Sequence, residues 1–426
     1  MTHSILFSIL LLLVSFNAEA QEKADSSTRK STVFPFQLSI FPPLSTNGIE
    51  NENSVNECSI NLFAGYSGGV NGLELGAFAN VVKGDIQGLQ MAGFVNIAGG
   101  ETRGGQLAGF CNVNQNNVSG VQMAGFTNVV NDSVNGTQLA GFCNLNTGTT
   151  NGWQGAGFLN LSRENFSGLQ VAGFVNVVSD TFQGSQFSGF SNVVTGETRG
   201  VQYAGFSNTT VGDLHGVQVA GFINTADSVS GIQISGFMNI ARSLRGVQLG
   251  FINYADSLVS GTPVGFLSFV RKGGYHVFEI TGNETFYAGI QVKTGSDRFY
   301  TLFNAGVRPG TDFNWGFGYG LGTCLKNTGK FRVNFDLFSM HVSENTIWTN
   351  HLNLLNKAQA GLTWQISKRV GFTAGPTFNV LITNKNNQEL SGIEKTVAPE
   401  TPSFDQVYSG NTRVQMWPGI HAAFRF

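Results

Sequence analysis

The chain has 426 residues, with 24 Lys and Arg against 26 Asp and Glu, so its net charge is close to zero at −2. Only 12% of the residues are charged, about half the usual share, which excludes a basic nucleic-acid-binding protein and an acidic solvating tail. Glycine is abundant at 56 residues, and 41% of the chain is hydrophobic, which is enough to bury a core and excludes a disordered chain.

The first residues predict a secretory signal peptide over 1–20. An apolar run over 5–14 precedes Ala18-Glu19-Ala20, a small-x-small cleavage pattern, so the mature chain is expected to start at Gln21. The stretch has no Lys or Arg, and the prediction therefore depends on the apolar run and the cleavage pattern. No later stretch of 18 or more apolar residues follows, which excludes a spanning helix and leaves a barrel as the route into a membrane.

Residues 21–71 are predicted to form N-terminal strands or a cap. The segments 33–40 and 59–66 both alternate between apolar and polar residues, as strands do. They could join a barrel, or they could cover the first unit of the repeat that follows, because an open sheet end invites edge pairing.

Residues 72–270 repeat with a period of 16, and the shared pattern is G-x-Q-x-A-G-F-x-N. Thirteen units follow one another, and late units shorten to 15, 14 and 15 residues. Two glycines in each period exclude amphipathic helices, so strands joined by turns remain. A unit this short cannot bury its own apolar side, and the units are therefore expected to stack around one shared core.

The simplest arrangement is a parallel β-solenoid with one unit per coil, in which each residue lies above its equivalent in the previous coil. Stacked Gln and Asn amides would then hydrogen-bond along the axis, and stacked Phe rings would fill the interior. With about 4.8 Å per coil, thirteen coils predict a rod roughly 60 Å long. The ladder residues predicted from four of the units are Gln90, Phe94, Asn96, Gln122, Phe126, Asn128, Gln170, Phe174, Asn176, Gln218, Phe222 and Asn224. A second apolar stripe is expected from Val118, Val134, Phe166, Phe182 and Leu214.

One alternative keeps the repeat but reverses every second unit, which gives one large antiparallel barrel. Each unit would then be a strand of about eleven residues, long enough to cross a bilayer, with Gln facing Asn on the neighbouring strand. The parallel solenoid is favoured because antiparallel neighbours have no reason to keep the turns on both sides of the sheet equal in length.

Residues 271–426 no longer repeat but alternate between apolar and polar positions, which predicts an antiparallel outer-membrane-type β-barrel. A soluble β-sandwich with one wet face is the alternative. The segment 384–410 is predicted to be a long polar loop. Candidate strands are His276–Thr281, Thr285–Lys293, Arg298–Arg308, Phe313–Lys326, Lys330–Val342, Lys357–Ile366, Val370–Thr383 and Gln415–Phe426.

The last strand ends on alternating aromatic residues, Phe424 and Phe426. This pattern is similar to the C-terminal signal strand of bacterial outer-membrane barrels, which the barrel-assembly machinery reads. The predicted partners are therefore the outer membrane and that machinery. The side of the membrane on which the repeat lies depends on whether the barrel has an even or an odd number of strands. With a periplasmic C-terminus, an even number places the repeat on the periplasmic side or inside the pore, and an odd number places it outside the cell.

The sequence predicts no catalytic, cofactor-binding or metal site, and no cofactor. The six histidines are scattered, with no H-E-x-x-H and no Ser/His/Asp arrangement. Acidic residues recur in the turns, but one carboxylate per coil is a thin ligand set for calcium, which takes six to eight oxygens, so solvated turns are favoured. Cys111 and Cys143 lie two coils apart, roughly 9–10 Å in a solenoid, and are therefore predicted to be free thiols.

The repeat G-x-Q-x-A-G-F-x-N resembles the surface-repeat proteins first noted in Leptospira and widespread as uncharacterised proteins in Bacteroidetes. The resemblance covers residues 72–270, nearly half of the chain. It implies an envelope or cell-surface location and brings no catalytic residues with it.

Three functions follow as hypotheses. The first is a non-enzymatic outer-membrane or cell-surface protein, in which the repeat is a rod for display or for contact with a glycan or protein and the barrel is its anchor. The second is an outer-membrane pore or transport component. The third is a secreted carbohydrate-active enzyme, because some such enzymes use β-helices, although their longer coils and clustered Asp and Arg residues are missing here.

Overall fold

The computed structural model describes residues 31–310, 313–326, 330–348, 351–367, 370–384, 396–408 and 412–426. A parallel β-solenoid of about 14 turns is followed by a closed antiparallel β-barrel of eight strands. The predicted fold is therefore confirmed, and the single large antiparallel barrel is wrong. The predicted signal peptide lies outside the described residues. In the described ranges, no helix is both long and apolar enough to span a bilayer.

Each regular coil contains a strand of seven residues, a Gly-Phe corner, a strand of four residues and a turn. Strands of successive coils pair in parallel with a register of 16 residues, so that Gln122 lies between Gln106 and Gln138. The seven-residue strands and the two earlier equivalents are Ser54–Asn61, Gly69–Gly76, Ile86–Ala92, Thr102–Ala108, Val118–Ala124, Val134–Ala140, Thr150–Ala156, Phe166–Ala172, Phe182–Ser188, Thr198–Ala204 and Leu214–Ala220. The four-residue strands are Ala64–Ser67, Ala79–Val82, Val95–Ala98, Cys111–Asn114, Thr127–Val130, Cys143–Asn146, Leu159–Ser162, Val175–Val178, Ser191–Val194 and Ser207–Thr210.

The last coils lose one residue at the turn, one at the Gly-Phe corner, or both, and some of their strands run on through the turn. These strands still pair in parallel, and Gln233 lies beside Gln218 and Gln248 although the spacing is now 15 residues. Their bounds are Ile223–Ser235, Met238–Leu244, Val247–Leu249, Ile252–Leu258, Thr262–Val264 and Leu267–Lys272.

The N-terminal segment caps the solenoid, which settles the choice left open by the sequence. The strand Thr32–Phe41 pairs in parallel with Ser54–Asn61, and the short strand Leu44–Ser45 folds back on it in the antiparallel direction. A 3-10 helix, Gly48–Asn53, connects the cap to the first coil. The coil that starts at Ser54 adds a turn to the thirteen predicted from the repeat pattern. Phe63 occupies the position of the repeated Phe in this coil, and its ring centroid lies 6.4 Å from that of Phe78.

The expectation that the repeated Phe rings fill the interior is wrong. Alternation along each strand points Gln, Ala and Asn inward, and the Phe lies at the corner between the two strands, where its side chain projects outward. Phe94 and Phe174 are 39% and 40% exposed, whereas Gln90 and Asn96 are completely buried. The second predicted stripe is confirmed, because its five residues are all buried: Val118, Val134, Phe166, Phe182 and Leu214.

Eight antiparallel strands close the barrel, and the first, Tyr275–Asn283, pairs with the last, Thr412–Arg425. The other strands are Ala288–Gly295, Tyr300–Arg308, Asn314–Lys326, Phe331–Glu344, Asn353–Gln365 and Gly371–Thr383. All eight predicted strands are present, with bounds that differ by a few residues. One correction concerns the predicted polar loop 384–410, which contains the short strand Phe404–Tyr408, paired with Thr412–Arg425.

The last solenoid strand, Leu267–Lys272, leads directly into Tyr275–Asn283, so the solenoid joins the barrel at the end that also carries the C-terminus. The connections at this end are short, such as 296–299 and 366–370. At the opposite end, 345–352 and 384–403 are longer, whereas 284–287 and 309–313 are as short as the turns beside the solenoid. We call the end beside the solenoid the end with short turns, and the other end, which carries the two longest connections, the end with long loops.

A glycine in the seven-residue strand bends each coil, and its replacement tests the close stacking. Gly136 has φ +145°, and a Cβ atom there would lie 1.9 Å from the carbonyl oxygen of Gly120. Gly136→Ala is expected to destabilise its coil by about 3 kcal/mol, since it combines backbone strain with overpacking. Hydrogen–deuterium exchange of the purified protein would then rise in peptides around residue 136.

The matched control is Asn135→Ala, which changes the exposed neighbour of Gly136 in the same strand. Equal exchange in both variants would show that the coils do not stack as closely as the structure requires.

Candidate functional site

The most regular feature of the solenoid is a ladder of buried Gln side chains. The Nε2 of each Gln donates a hydrogen bond to the Oε1 of the Gln in the preceding coil, at 2.7–2.9 Å, from Gln248 back to Gln90. Every donor therefore points toward the N-terminal end of the rod. The predicted ladder residues Gln90, Gln122, Gln170 and Gln218 all belong to it.

A second ladder, made of Asn side chains, lies on the four-residue strands, and its hydrogen bonds are donated in the opposite direction. The Nδ2 of each Asn donates to the Oδ1 of the Asn in the following coil, at 2.8–3.0 Å, from Asn61 to Asn253. The predicted residues Asn96, Asn128, Asn176 and Asn224 belong to this ladder.

Backbone contacts fix the direction of the Asn ladder. The Nδ2 of Asn128 also donates to the carbonyl oxygen of Leu139 at 2.9 Å, and the same contact recurs along the rod. A carbonyl oxygen can only accept, so the amide nitrogen must face it. Because the Gln donors point one way and the Asn donors the other, the amide dipoles of the two ladders oppose one another along the axis.

Glu74 terminates the Gln ladder and links it to the Asn ladder. Its Oε2 accepts from Gln90 Nε2 at 2.8 Å, and its Oε1 accepts from Asn61 Nδ2 at 3.1 Å. The side chain is completely buried, and no salt bridge reaches it from any of the described residues. Burial without a cation raises the pKa of Glu74 to about 7, although the two amide donors act in the opposite direction.

Outside the solenoid, the repeated Phe rings form one continuous column. Successive rings from Phe78 to Phe237 are stacked with centroids 4.8–5.0 Å apart. The predicted Phe94, Phe126, Phe174 and Phe222 are therefore ladder residues, but of an outer column rather than of the core.

An open apolar groove of about 930 Å³ runs beside this column over the first half of the rod. Its lining includes Met91, Leu107, Met123 and Leu139, together with the Ala-Gly pairs that precede the Phe residues. Trp153 continues the apolar surface and is 60% exposed. The solenoid thus presents an aromatic face, defined by the Phe column and the apolar side chains beside it.

Like the solenoid, the barrel buries polar side chains and exposes apolar ones, and it also buries an apolar cluster that includes Leu302 and Phe338. Ion pairs cross its lumen: Lys293 Nζ lies 2.7 Å from Asp336 and 3.1 Å from Glu279, and Arg425 lies 2.8 Å from Glu279. The outer wall is apolar, and Leu337 there is 65% exposed. Alternation along each strand separates the two faces, as the sequence predicted.

The C-terminal strand places its aromatic residues on the outer wall. Phe424 and Phe426 are each 53% exposed, while Arg425 between them is buried in the lumen. The alternation that suggested a membrane-assembly signal is therefore present in the folded strand.

The cysteines and the possible metal ligands are the remaining residues considered from the sequence. All four cysteines are free thiols, including Cys111 and Cys143. In the part of the chain that the structure describes, no group of three or more His, Cys, Asp or Glu side chains could hold a metal ion.

Comparisons of the chain with protein-family models, with curated proteins and with solved structures find no match. The resemblance to the leptospiral surface-repeat proteins therefore stays a prediction.

The sequence analysis missed two features of the site, the buried Glu74 and the outward position of the Phe column. Glu74 occupies the Gln position of the first unit, Gly72-Leu73-Glu74-Leu75-Gly76, so alignment of the units could have singled it out. The outward position of the Phe column had a weaker signal, the Gly that precedes each Phe at the corner.

Removal of one ladder amide tests whether the ladder stabilises the rod. Gln186→Leu leaves the Oε1 of Gln170 without its donor and the Nε2 of Gln202 without its acceptor, so the unfolding free energy is expected to fall by roughly 2–5 kcal/mol. Gln183→Leu, on the exposed face of the same strand, is the matched control and should change little. Urea unfolding of the purified protein, followed by circular dichroism, measures both; equal effects would argue against the ladder.

The buried carboxyl of Glu74 predicts a specific pH dependence. Because its pKa is about 7 in the folded protein and 4.5 ordinarily, the folded state retains a proton that the unfolded state releases between these values. The stabilisation is present below pH 4.5 and is lost as the pH rises through 7. Glu74→Gln should remove this dependence: the unfolding free energy of the wild type should fall by roughly 2–3 kcal/mol from pH 5 to pH 8, and that of the variant should change little, whatever its absolute value.

The measurement is urea unfolding at pH 5 and pH 8, with the exposed Glu164→Gln as control. If wild type and Glu74→Gln lost stability equally between the two pH values, the assignment of a raised pKa to Glu74 would be wrong.

Proposed function

We propose that this protein is a non-enzymatic outer-membrane protein in which the barrel anchors the solenoid, and the solenoid serves as a rigid rod for structural or binding contacts. The observation that carries the proposal is the distribution of side chains in the barrel, which has ion pairs in its lumen and apolar side chains on its outer wall. A soluble barrel would gain nothing from such a surface, whereas a lipid bilayer favours it.

Aromatic residues at both ends of the outer wall support this function. Trp364 and Phe331 lie near the end with short turns, and each is 50% exposed. Tyr287 and Trp348 lie near the end with long loops and are 57% and 55% exposed. Outer-membrane barrels carry aromatic girdles at both membrane interfaces.

The barrel ends favour a periplasmic position for the solenoid. Bacterial outer-membrane barrels have short periplasmic turns and longer extracellular loops. With eight strands, the solenoid and the C-terminus share the end with short turns. This arrangement favours a rod on the periplasmic side over display on the cell surface.

A pore or transport component is the second candidate, and the lumen disfavours it. The interior of an eight-stranded barrel is just wide enough to be filled by side chains. Here Lys293, Glu279, Asp336 and Arg425 form a connected group of ion pairs in that interior. Lys357 adds a further pair with Glu284 at 3.2 Å.

Labelling of single cysteines in cells tests the proposed location. Ile347→Cys lies in a long loop at a position that is 92% exposed, and Asn151→Cys lies on an exposed edge of the solenoid. A membrane-impermeant maleimide should label Ile347→Cys in intact cells, and Asn151→Cys only after the outer membrane is permeabilised. The chain without an engineered cysteine is the control for its native thiols.

Labelling of both positions in intact cells would contradict the periplasmic location and support surface display. Recovery of the unmodified protein in a carbonate wash without detergent would contradict the membrane anchor itself.

A further inference from the structure

The aromatic face of the solenoid is far more apolar than an exposed protein surface usually is. Beyond the Phe column, Met123, Leu139 and Val171 are 39–44% exposed, and Trp153 is 60% exposed. With about 4.8 Å per coil, this face extends for roughly 60 Å along the rod. Contiguous apolar patches of this size on a folded protein mark a surface that binds a partner or a membrane.

Charged residues are confined to the opposite edge of the rod. Within residues 72–270, every charged side chain except the buried Glu74 lies in the turn after the short strand, at the equivalent position of the late strands that run through that turn, or in the first residues of the next strand. Examples are Glu101 with Arg103 and Glu197 with Arg199, which form exposed ion pairs at 2.8 Å. The rod is therefore amphipathic in cross-section, as an interfacial membrane helix is.

The aromatic face continues directly onto the outer wall of the barrel. Phe266, the last ring of the column, stacks on Tyr319 with centroids 4.7 Å apart and meets the edge of Phe303 at 5.7 Å. The Tyr319 hydroxyl also donates to the carbonyl oxygen of Phe266 at 3.3 Å. Phe303 and Tyr319 are paired neighbours on the outer wall, so one apolar surface covers both parts of the molecule.

We propose that the aromatic face of the solenoid docks on a phospholipid bilayer, the periplasmic leaflet of the membrane that holds the barrel. The inference rests on the proposed function, because it takes the outer wall of the barrel as lipid-facing. A surface that is continuous with that wall, and whose chain enters the barrel at the end with short turns, meets the same bilayer. The rod then lies against the membrane, with its charged edge toward the periplasm.

The chemistry of the contact is apolar rather than electrostatic. The charged edge faces away from the aromatic face, and acidic residues outnumber basic ones in the repeat. Polybasic segments bind anionic lipids through charge, and this rod has no such segment. Docking is therefore expected on zwitterionic phosphatidylcholine vesicles and should be insensitive to salt.

The test uses the full-length protein, reconstituted in phosphatidylcholine vesicles and labelled with an environment-sensitive fluorophore at one engineered cysteine. Val171→Cys reports the aromatic face, Asn151→Cys the charged edge, and Leu337→Cys the outer wall of the barrel. Brominated lipids quench a probe in the bilayer, and iodide quenches a probe in water. The labels at 171 and 337 should be quenched by brominated lipid, and iodide quenching at 171 should be several-fold weaker than at 151.

The other outcomes contradict either lipid docking or the membrane anchor, and they distinguish the two. If the label at 337 is quenched by brominated lipid but the label at 171 is quenched by iodide, lipid docking is wrong and the membrane anchor stands. If the label at 337 is not quenched by lipid, the proposed function fails. If the label at 171 is shielded from both quenchers and cross-links to a second molecule, another copy of the chain covers the face and the lipid proposal is wrong.

A charge on the aromatic face provides an independent variant. Met123→Lys is expected to increase iodide quenching of the label at 171 several-fold, because an ammonium group resists transfer into the bilayer. Ser119→Lys, on the exposed edge of the same strand, should leave the quenching unchanged. Equal quenching in both variants would contradict lipid docking, and unchanged circular dichroism would show that each variant has folded.

Discussion

A buried amide that lacks a partner costs roughly 1–3 kcal/mol, and the solenoid buries a Gln and an Asn in nearly every coil. Parallel, in-register stacking pairs the amides along the rod, since each one between the two ends of its ladder has an identical neighbour above and below. The ladder is a stronger constraint than coil length. Where the spacing falls to 15 or 14 residues, Gln248 still donates to Gln233 and Asn239 to Asn253, both at 2.9 Å, and the missing residues are absorbed in the turns and at the Gly-Phe corner.

In both parts of the molecule, buried amides or ion pairs share the interior with a buried apolar cluster, and much of the exterior is apolar. The two interiors differ in charge, because neutral amides satisfy one another along a rod, whereas a barrel lumen of eight strands can pair full charges across its width. Glu74 is the exception in the rod, a single carboxyl at the point where the donors of the Gln ladder need a final acceptor. The contact of Phe266 with Tyr319 then joins the two apolar exteriors into one surface.

The sequence predicted the stacking direction and the ladder identities because a constant 16-residue period leaves few other arrangements. It also predicted the barrel, since alternation such as Phe335, Asp336 and Leu337 separates two faces. The period does not reveal which face is inside, and hydrophobicity alone placed Phe94 in the core. The strand Phe404–Tyr408 was hidden in a polar segment, and the Phe266–Tyr319 contact depends on how two separately patterned regions meet.

The two amide ladders and the Phe column all depend on the parallel, in-register stack, and pulsed electron paramagnetic resonance tests this stack directly. Pairs of spin labels on cysteines introduced at Ser119/Gln183, Gln87/Ser167 and Gln87/Gln183, in a chain without its native cysteines, span four, five and six coils along one exposed edge. The stack predicts distances that increase linearly, about 19, 24 and 29 Å. If alternate units ran in opposite directions, the five-unit pair would place its labels at opposite ends of the strands, and a five-unit distance outside this series would contradict the account.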